Sequence, residues 1–260
     1  MIITTKVGTS GYSYPWNKGK PTPFAWYLGQ GFETVEINAS FYRFPSKTWI
    51  RAWEIAPAGF DFAIKVHRSI THFARLQGRA LELFEKFRNT LKEIENKISF
   101  WLFQMPESFG ANEQNLELVK DFFTKISLAN KAVIEFREAS WWNYADRVEK
   151  LGAVFCSVDA PDLPRKILST NGVVYLRLHG RKAWYSWIYT DQELLEIAKK
   201  VEEAAAQKKY IFLNNDHGMI PNSKFLIKAL ESKDPGLGEK SLRAAKEKEG
   251  REVNRDFSFL

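Results

Sequence analysis

Seven apolar segments of this 260-residue chain end in side chains that could bind or transform a polar substrate. Glu36 and Glu135 are carboxylates at two of these ends, and each could take a proton from a substrate or from water. His179 closes another segment, and Asp216 directly follows the last one. We predict these four residues as the catalytic set, with Glu36 or Glu135 as the base and His179 as the acid.

The same segment ends carry groups that would hold the substrate. Several are cationic, and arginine and lysine are the side chains that bind phosphate and carboxylate groups. A site with this many cations is expected to receive an anionic group. The predicted substrate-binding residues are Asn38, Lys65, Arg68, His72, Gln104, Arg137, Trp141, Asp159, Arg177, Asn214 and Asn215.

Each of these residues also has a structural interpretation. Glu135 and Arg137 could form a structural ion pair, His179 could be a core histidine, and Asn215 could cap a turn. A divalent metal is a further alternative, held by Glu36, Glu135, Asp159, His179 and Asp216. No HExxH or CxxC pattern supports a metal, and nearby cations compete for the carboxylates. The sequence therefore leaves the cofactor unknown and does not require a metal.

The position of these groups depends on strand-length apolar runs that alternate with helical segments. The runs are 2–7, 33–39, 60–66, 98–105, 131–137, 154–159, 173–179 and 209–215. The helical segments are 46–56, 79–97, 114–128, 190–207 and 222–231. Such alternation predicts an α/β fold with a parallel sheet, and eight units in about 235 residues match a TIM (β/α)8 barrel. A doubly wound sheet would also alternate, but no GxGxxG turn follows the first run.

A barrel would bring the segment ends together. Alternate residues of a barrel strand point inward, and active sites of TIM barrels lie at the C-terminal ends of the strands. Charged side chains are rarely buried unless they are paired, so several at one end of a barrel are more simply explained by one shared site. The sequence thus predicts a single polar site at the C-terminal mouth.

The composition limits the classes of protein and partner. The net charge of +7 and pI near 9.3 favour an anionic small molecule or a nucleic acid as partner. No run approaches the roughly 18–20 apolar residues that span a bilayer, the N-terminus shows no secretory signal, and Cys156 is the single cysteine. We therefore expect a cytoplasmic protein with no membrane partner.

The chain is expected to form one barrel domain, residues 1–232, followed by a short charged tail, residues 233–260. The composition changes at Lys233, where prolines, glycines and charged residues replace the apolar runs. The tail ends in Asp-Phe-Ser-Phe-Leu. It could dock a partner protein, or it could be a frayed terminus.

Eight motifs in order resemble a known family. They are GTSGYSY (8–14), VEINASFY (35–42), FAIK (62–65), ITH (70–72), QMP (104–106) with SF (108–109), EFR (135–137) with SW (140–141), RLHG (177–180) and FLNND (212–216). Together they resemble the YecE-like family, domain of unknown function 72, over roughly residues 1–232. The resemblance implies a TIM barrel and supplies no activity, because the family is named for lacking one.

Three classes of function follow. The leading hypothesis is an enzyme that acts on a phosphate-containing substrate, such as a hydrolase of nucleic acid or a nucleotide, with loop aromatics that stack on bases. The second is an isomerase or lyase on a small anionic sugar or carboxylate, with Lys65 binding the anion and Glu135 abstracting a proton. The third is a non-catalytic nucleic-acid-binding or scaffold protein.

Overall fold

The computed structural model describes residues 3–232, which form a nearly closed barrel of eight parallel strands. Each strand pairs with the next along the chain from the second to the eighth, and the eighth pairs with the first. The TIM-like barrel predicted from the sequence is confirmed. The strands are β1 (Thr4–Thr9), β2 (Thr34–Ile37), β3 (Asp61–Lys65), β4 (Ile98–Gln104), β5 (Ala132–Glu135), β6 (Val154–Asp159), β7 (Val173–Leu178) and β8 (Lys208–Leu213).

Helices surround the strands. They are α1 (Pro23–Leu28), α2 (Lys47–Glu54), α3 (Ala80–Asn89), α4 (Glu113–Ile126), α5 (Ala145–Lys150), α6 (Asp191–Glu203) and α7 (Met219–Glu231). The long helix predicted over 79–97 is in fact α3 followed by a 3-10 segment, Lys92–Lys97. The short helices α1 and α5 were not predicted, because six residues give less than two turns of periodicity. Helix α6 begins with a capping box, in which the Thr190 hydroxyl accepts from the Glu193 backbone N–H and the Glu193 carboxylate accepts from the Thr190 backbone N–H.

The repeat is broken between β6 and β7. Residues 160–172 contain no helix and cross from one strand to the next as an irregular segment. Pro161 and Pro164 lie in this segment, and proline cannot donate the backbone hydrogen bond that a helix interior needs. The barrel wall is therefore covered here by α6 and by this loop rather than by a helix of its own.

Aromatic side chains fill the barrel interior below the polar strand ends. The ring of Phe100 lies 5.4 Å from that of Tyr175 and 4.8 Å from that of Tyr210, and Phe212 lies 5.1 Å from Tyr175. All four side chains are buried. The interior is thus a packed core and not a pore, as in other barrels of this kind.

The seam between β1 and β2 is closed by a side chain. The Tyr27 hydroxyl accepts a hydrogen bond from the Thr9 backbone N–H at 3.1 Å and donates to the Thr34 carbonyl at 2.9 Å. Gly8 lies at the same seam, where a Cβ atom would approach the Thr34 carbonyl oxygen to 2.4 Å. Tyr27 therefore substitutes for ladder hydrogen bonds at the one junction where the named strands do not pair.

We expect Tyr27→Phe to lower the free energy of unfolding by about 1–3 kcal/mol, because it leaves two buried backbone groups without a partner. Urea denaturation followed by circular dichroism measures this change. Tyr144→Phe, at a half-buried tyrosine away from the seam, is the control and should change stability by no more than about 0.5 kcal/mol. Equal effects of both substitutions would contradict the role assigned to Tyr27.

Among the described residues, no helix combines the length and the apolar character needed to cross a membrane. Cys156 is buried on β6. The charged tail predicted over residues 233–260 lies outside the described residues.

Candidate functional site at the C-terminal mouth

Period-two alternation along the strands brings the polar groups into the barrel. On β7, Tyr175 and Arg177 face the interior, and His179 continues the same face just beyond the strand. Glu36 comes from β2 and Glu135 from β5. These side chains lie above the aromatic core, at the C-terminal ends of strands on different sides of the barrel.

Arg177 occupies the centre of this cluster and is fully buried. Its guanidinium group lies 2.6 Å from a Glu36 carboxylate oxygen through Nη2 and 2.5 Å from a Glu135 oxygen through Nη1. The Tyr175 hydroxyl donates to the other Glu36 oxygen at 2.7 Å. Burial alone lowers the pKa of Arg177, but the two carboxylates outweigh burial and raise that pKa well above its ordinary value. Arg177 is therefore permanently charged and already neutralised.

A second guanidinium group, that of Arg137, completes the charge balance. Its Nε lies 2.5 Å from Glu135 Oε1, although the N–H does not point at the oxygen, so the contact is electrostatic. Arg137 also donates to Gln104 Oε1 at 3.4 Å and to the Tyr185 hydroxyl at 3.2 Å, and its guanidinium carbon lies 4.6 Å from the ring centroid of Trp184. The guanidinium group of Arg137 is thus fixed in position by a carboxylate, two polar side chains and an aromatic ring.

The pKa of Glu135 follows from these contacts. Burial raises the pKa of this carboxyl, but Arg137, Arg177 and Lys65 lower it by more, to about 2. Glu135 is consequently ionised at any pH at which the protein is expected to work, and it holds protons weakly.

Lys65 is the surplus cation of the buried cluster. Glu36 and Glu135 are matched by Arg177 and Arg137, whereas Lys65 Nζ has no hydrogen bond or ion pair to any residue in the range 3–232. The amine lies 4.2 Å from the ring centroid of Phe41, and the residue is 7% exposed. Burial, followed by the charge of Arg177, lowers the pKa of Lys65 to about 7. A substantial part of this amine is therefore uncharged at neutral pH.

Both histidines near Lys65 are uncharged at neutral pH. Burial and the charges of Arg177, Arg137 and Lys65 lower the pKa of His179 well below its ordinary value. Burial and then Lys65, Arg137, Arg68 and Arg75 lower the pKa of His72 to about 4.

The hydrogen bonds of His179 fix its tautomer. Arg177 Nη1 lies 3.2 Å from His179 Nε2, and because a guanidinium group only donates, Nε2 must accept. The ring proton is therefore on Nδ1, 3.2 Å from the side-chain amide of Asn214. The side-chain oxygen of Asn214 can then accept the hydrogen bond from this proton.

The structure brings most of the predicted site residues together. Asn38 joins the cluster through a 3.4 Å contact between Arg177 Nη2 and its side-chain oxygen. The ring of His72 packs against Phe41, with 4.9 Å between centroids. The residues gathered at the mouth are Glu36, Asn38, Lys65, His72, Gln104, Glu135, Arg137, Arg177, His179 and Asn214.

Two predicted site residues face the surrounding layer instead. Asp159 accepts a hydrogen bond from the Tyr189 hydroxyl at 3.0 Å and contacts Arg181 at 3.4 Å. Asn215 donates to the Trp187 carbonyl at 2.7 Å and to Asn222 at 2.8 Å. Both are placed outward by strand alternation, and their partners explain their presence structurally.

Three further predicted residues lie around or away from the cluster. Trp141 is fully buried, stacks on Phe136 with 3.9 Å between centroids, and donates to the Phe109 carbonyl. Asp216 begins a 3-10 turn after β8, and its charge helps burial to raise the pKa of Tyr14 to about 12. Arg68 is exposed on the rim.

Aromatic residues of the site were missed in the sequence. Tyr175 holds Glu36, Phe41 lies under Lys65, and Tyr185 contacts Arg137. Tyr175 could have been found, because it lies two residues before Arg177 and therefore on the same face of the strand. Phe41 and Tyr185 come from connecting segments, where no periodicity indicates which way a side chain points.

The donor set does not fit a metal ion. Within residues 3–232, no group of three or more His, Cys, Asp and Glu side chains is arranged to hold one. The carboxylates of Glu36 and Glu135 lie on either side of Arg177, so a guanidinium group stands where a shared cation would bind.

The sequence matches a known protein family over residues 6–245, described as a protein of unknown function, DUF72. The chain belongs to the DUF72 family. No curated protein matches the sequence. The resemblance expected from the eight motifs is therefore confirmed, and it still carries no activity.

Solved structures of DUF72 proteins share this fold. A DUF72 family protein from Thermotoga maritima is 26% identical, with a TM-score of 0.77, over 88% of this chain and 100% of that chain. One from Enterococcus faecalis is 20% identical, with a TM-score of 0.76, over 89% and 97%. A glucosidase from Croceicoccus marinus is 12% identical, with a TM-score of 0.51, over 88% and 69%, and shows the fold alone.

We expect Arg177→Met to lower the free energy of unfolding by about 3–5 kcal/mol, because it leaves two buried carboxylates without their shared partner. Arg147→Met is the matched control. Arg147 also makes a two-point contact, at 2.5 and 2.6 Å, but with Glu113 on the surface. Urea denaturation should show a large loss in the free energy of unfolding for Arg177→Met and little change for Arg147→Met. Similar losses would contradict the central role of Arg177.

We expect Lys65→Met to stabilise the protein at pH 6, on the order of 2 kcal/mol, and the gain to shrink as pH rises toward 10. The folded-state pKa of Lys65 lies below its unfolded value, so the cost of burying the charge is complete below pH 7. This cost disappears as the unfolded chain also loses its proton. Thermal melts of both proteins from pH 6 to 10 measure the difference. If the stability gained by Lys65→Met did not depend on pH, burial of a charged Lys65 amine would not be what destabilises the protein.

Proposed function

We propose that the protein is an enzyme that acts on a phosphate-containing substrate at the C-terminal mouth. The observation that carries the proposal is Lys65, a buried cation with no anionic partner of its own among the described residues. The lowered pKa of His72 is consistent with this, because Lys65, Arg137, Arg68 and Arg75 add to the effect of burial on that ring. A phosphate group would supply the negative charge that this side of the mouth lacks.

An adjoining cavity supports a substrate with a ring. It has a volume of about 380 Å³ and opens beside Asn38 at the end of β2. Tyr12, Tyr14, Tyr42, Trp49 and Trp53 line it. Aromatic faces stack on nucleobases and on other flat or apolar rings. A nucleotide, or a nucleotide unit of a nucleic acid, could place its base in this cavity and its phosphate toward Lys65.

The protonation states change the predicted roles. Glu135, with a pKa of about 2, is a weak base, and His179 is uncharged and cannot act as the acid at neutral pH. Lys65 is the group whose pKa lies near neutrality. For hydrolysis, we propose that a bound phosphate returns Lys65 to its charged form, so that its ammonium group stabilises the negative charge that develops on the phosphate, while Arg177 keeps Glu36 and Glu135 in place.

A second candidate is an isomerase or lyase on a small anionic sugar or carboxylate. The observation that favours it is the burial of the central groups: Glu135 and His179 are fully buried, and Lys65 is 7% exposed. A duplex is too wide to reach groups this deep without rearrangement, so their burial matches a small substrate better than a nucleic acid.

An activity screen tests the first proposal. Mononucleotides and single-stranded, duplex and abasic oligonucleotides are incubated with the purified protein, with and without Mg²⁺, Mn²⁺ or Zn²⁺. We expect cleavage or phosphate release that Lys65→Met reduces at least about 100-fold. Lys209→Met is the control, because Lys209 is also buried but binds the Glu202 carbonyl.

Absence of turnover, together with absence of any binding that weakens with salt, would contradict the proposal. Salt-dependent binding without turnover, unaffected by Glu135→Gln, would instead support a non-catalytic nucleic-acid-binding protein.

A further inference from the structure

We propose that Lys65 forms a covalent imine with the carbonyl carbon of an aldehyde or ketone substrate at the barrel mouth. The inference rests on the proposed entry of a small anionic substrate at this mouth and names its second functional group. The substrate class is then a small carbonyl compound that also carries a phosphate or carboxylate group.

The surroundings of Lys65 differ from those of other lysines with shielded stems. Lys209 donates to the Glu202 carbonyl, Lys97 donates to the Ala56 carbonyl, and Lys6 pairs with the Asp61 carboxylate at 2.8 Å. Each of these amines is therefore occupied by a protein acceptor. Lys65 Nζ has only the face of Phe41 within reach in the described part of the chain, so its lone pair is available once the proton has left.

The cluster around Lys65 keeps the amine free. Glu36 and Glu135 are the nearby carboxylates that could bind it, but Arg177 holds both through one guanidinium group. Arg137 takes the remaining side of Glu135. The same guanidinium charges, together with burial, favour the uncharged amine, which is the form that attacks carbonyl carbon.

The proposed step is balanced without an external reagent. The lone pair of Lys65 Nζ forms a bond to the carbonyl carbon, the electrons of the C=O π bond move to oxygen, and one proton of the amine passes to that oxygen. The resulting carbinolamine loses its hydroxyl group together with the second amine proton as water, and the electrons left on nitrogen form the C=N bond. One amine and one carbonyl thus give one imine and one water. Protonation of the imine then stabilises negative charge at the neighbouring carbon.

The anionic end of the substrate has cations to contact. Arg68 lies exposed on the rim, with its guanidinium carbon 5.8 Å from the Tyr42 ring centroid and 5.6 Å from that of Phe73. These two aromatic side chains are 65% and 72% exposed. Arg68 is therefore a rim cation that could bind a phosphate while the carbonyl group reaches inward to Lys65.

Reductive trapping tests the proposal. The full chain is incubated with glyceraldehyde 3-phosphate or pyridoxal 5′-phosphate and sodium cyanoborohydride, and adducts are located by peptide mass spectrometry. We expect one adduct per chain on Lys65, formed at least about tenfold faster than on any other lysine. The trapping rate should rise as pH increases through 7, because the amine loses its proton there.

Two variants make the result specific. Lys65→Arg keeps the positive charge but cannot form the imine, and it should lose the fast adduct. Lys209→Arg removes another buried lysine and should keep it. Thermal melts show whether each variant folds. If Lys65→Arg does not fold, peptide mapping of the protein without substitutions still shows whether Lys65 carries the adduct. Adducts spread over surface lysines, with Lys65 unlabelled, would overturn the proposal.

Glyceraldehyde and pyridoxal, which lack the phosphate, separate this proposal from the proposed function. If the probes with and without phosphate labelled Lys65 equally fast, the result would support the imine and contradict a phosphate-binding mouth. Protection of the protein against thermal unfolding by the phosphorylated probes alone, without an adduct on Lys65, would support the phosphate site and overturn the imine.

Discussion

The ion bridge through Arg177 is the interaction on which the rest of the mouth depends. A buried guanidinium group needs its charge to be matched, and Glu36 and Glu135 match the charge of Arg177 from opposite sides of the barrel through its two Nη groups, although its Nε has no hydrogen-bond partner among the described residues. Removing any one member would leave an uncompensated charge in the core. The bridge therefore links β2, β5 and β7 above the aromatic interior and fixes the protonation of the groups around it.

The charge that remains after this bridge defines the chemistry. Two carboxylates and two guanidinium groups, those of Arg177 and Arg137, cancel within the cluster. Lys65 is left over, and burial together with the neighbouring cations lowers its pKa to about 7. A group with a pKa near neutrality can exchange a proton or attack a substrate, whereas groups held far from neutrality mainly orient others. The proposed chemistry is therefore assigned to the Lys65 amine and not to the carboxylates.

The barrel fold and the residues at its mouth have to be considered separately. The barrel is shared with DUF72 proteins that are 20 to 26% identical to this chain, and a fold of this kind hosts many unrelated reactions. Its local irregularities are resolved by particular residues: Tyr27 at the β1–β2 seam, and the proline-containing loop between β6 and β7. Function is therefore argued from the mouth and not from the fold.

The sequence by itself determined that eight strands alternate with helices in a barrel and which residues of several strands share a face, because buried strands are apolar and side chains alternate with period two. That rule placed Glu36, Glu135, Arg177 and His179 on inward faces. It was less informative where alternation put polar residues outside, as for Asp159 and Asn215, and where a loop aromatic such as Trp141 packs into the core.

Only the tertiary structure decided which charges cancel. Arg177 and Glu36 are 141 positions apart, and no local pattern states that one arginine would take both carboxylates and leave Lys65 alone. Electrostatic pairing depends on distance and burial in three dimensions, and these follow from barrel closure, to which every strand contributes.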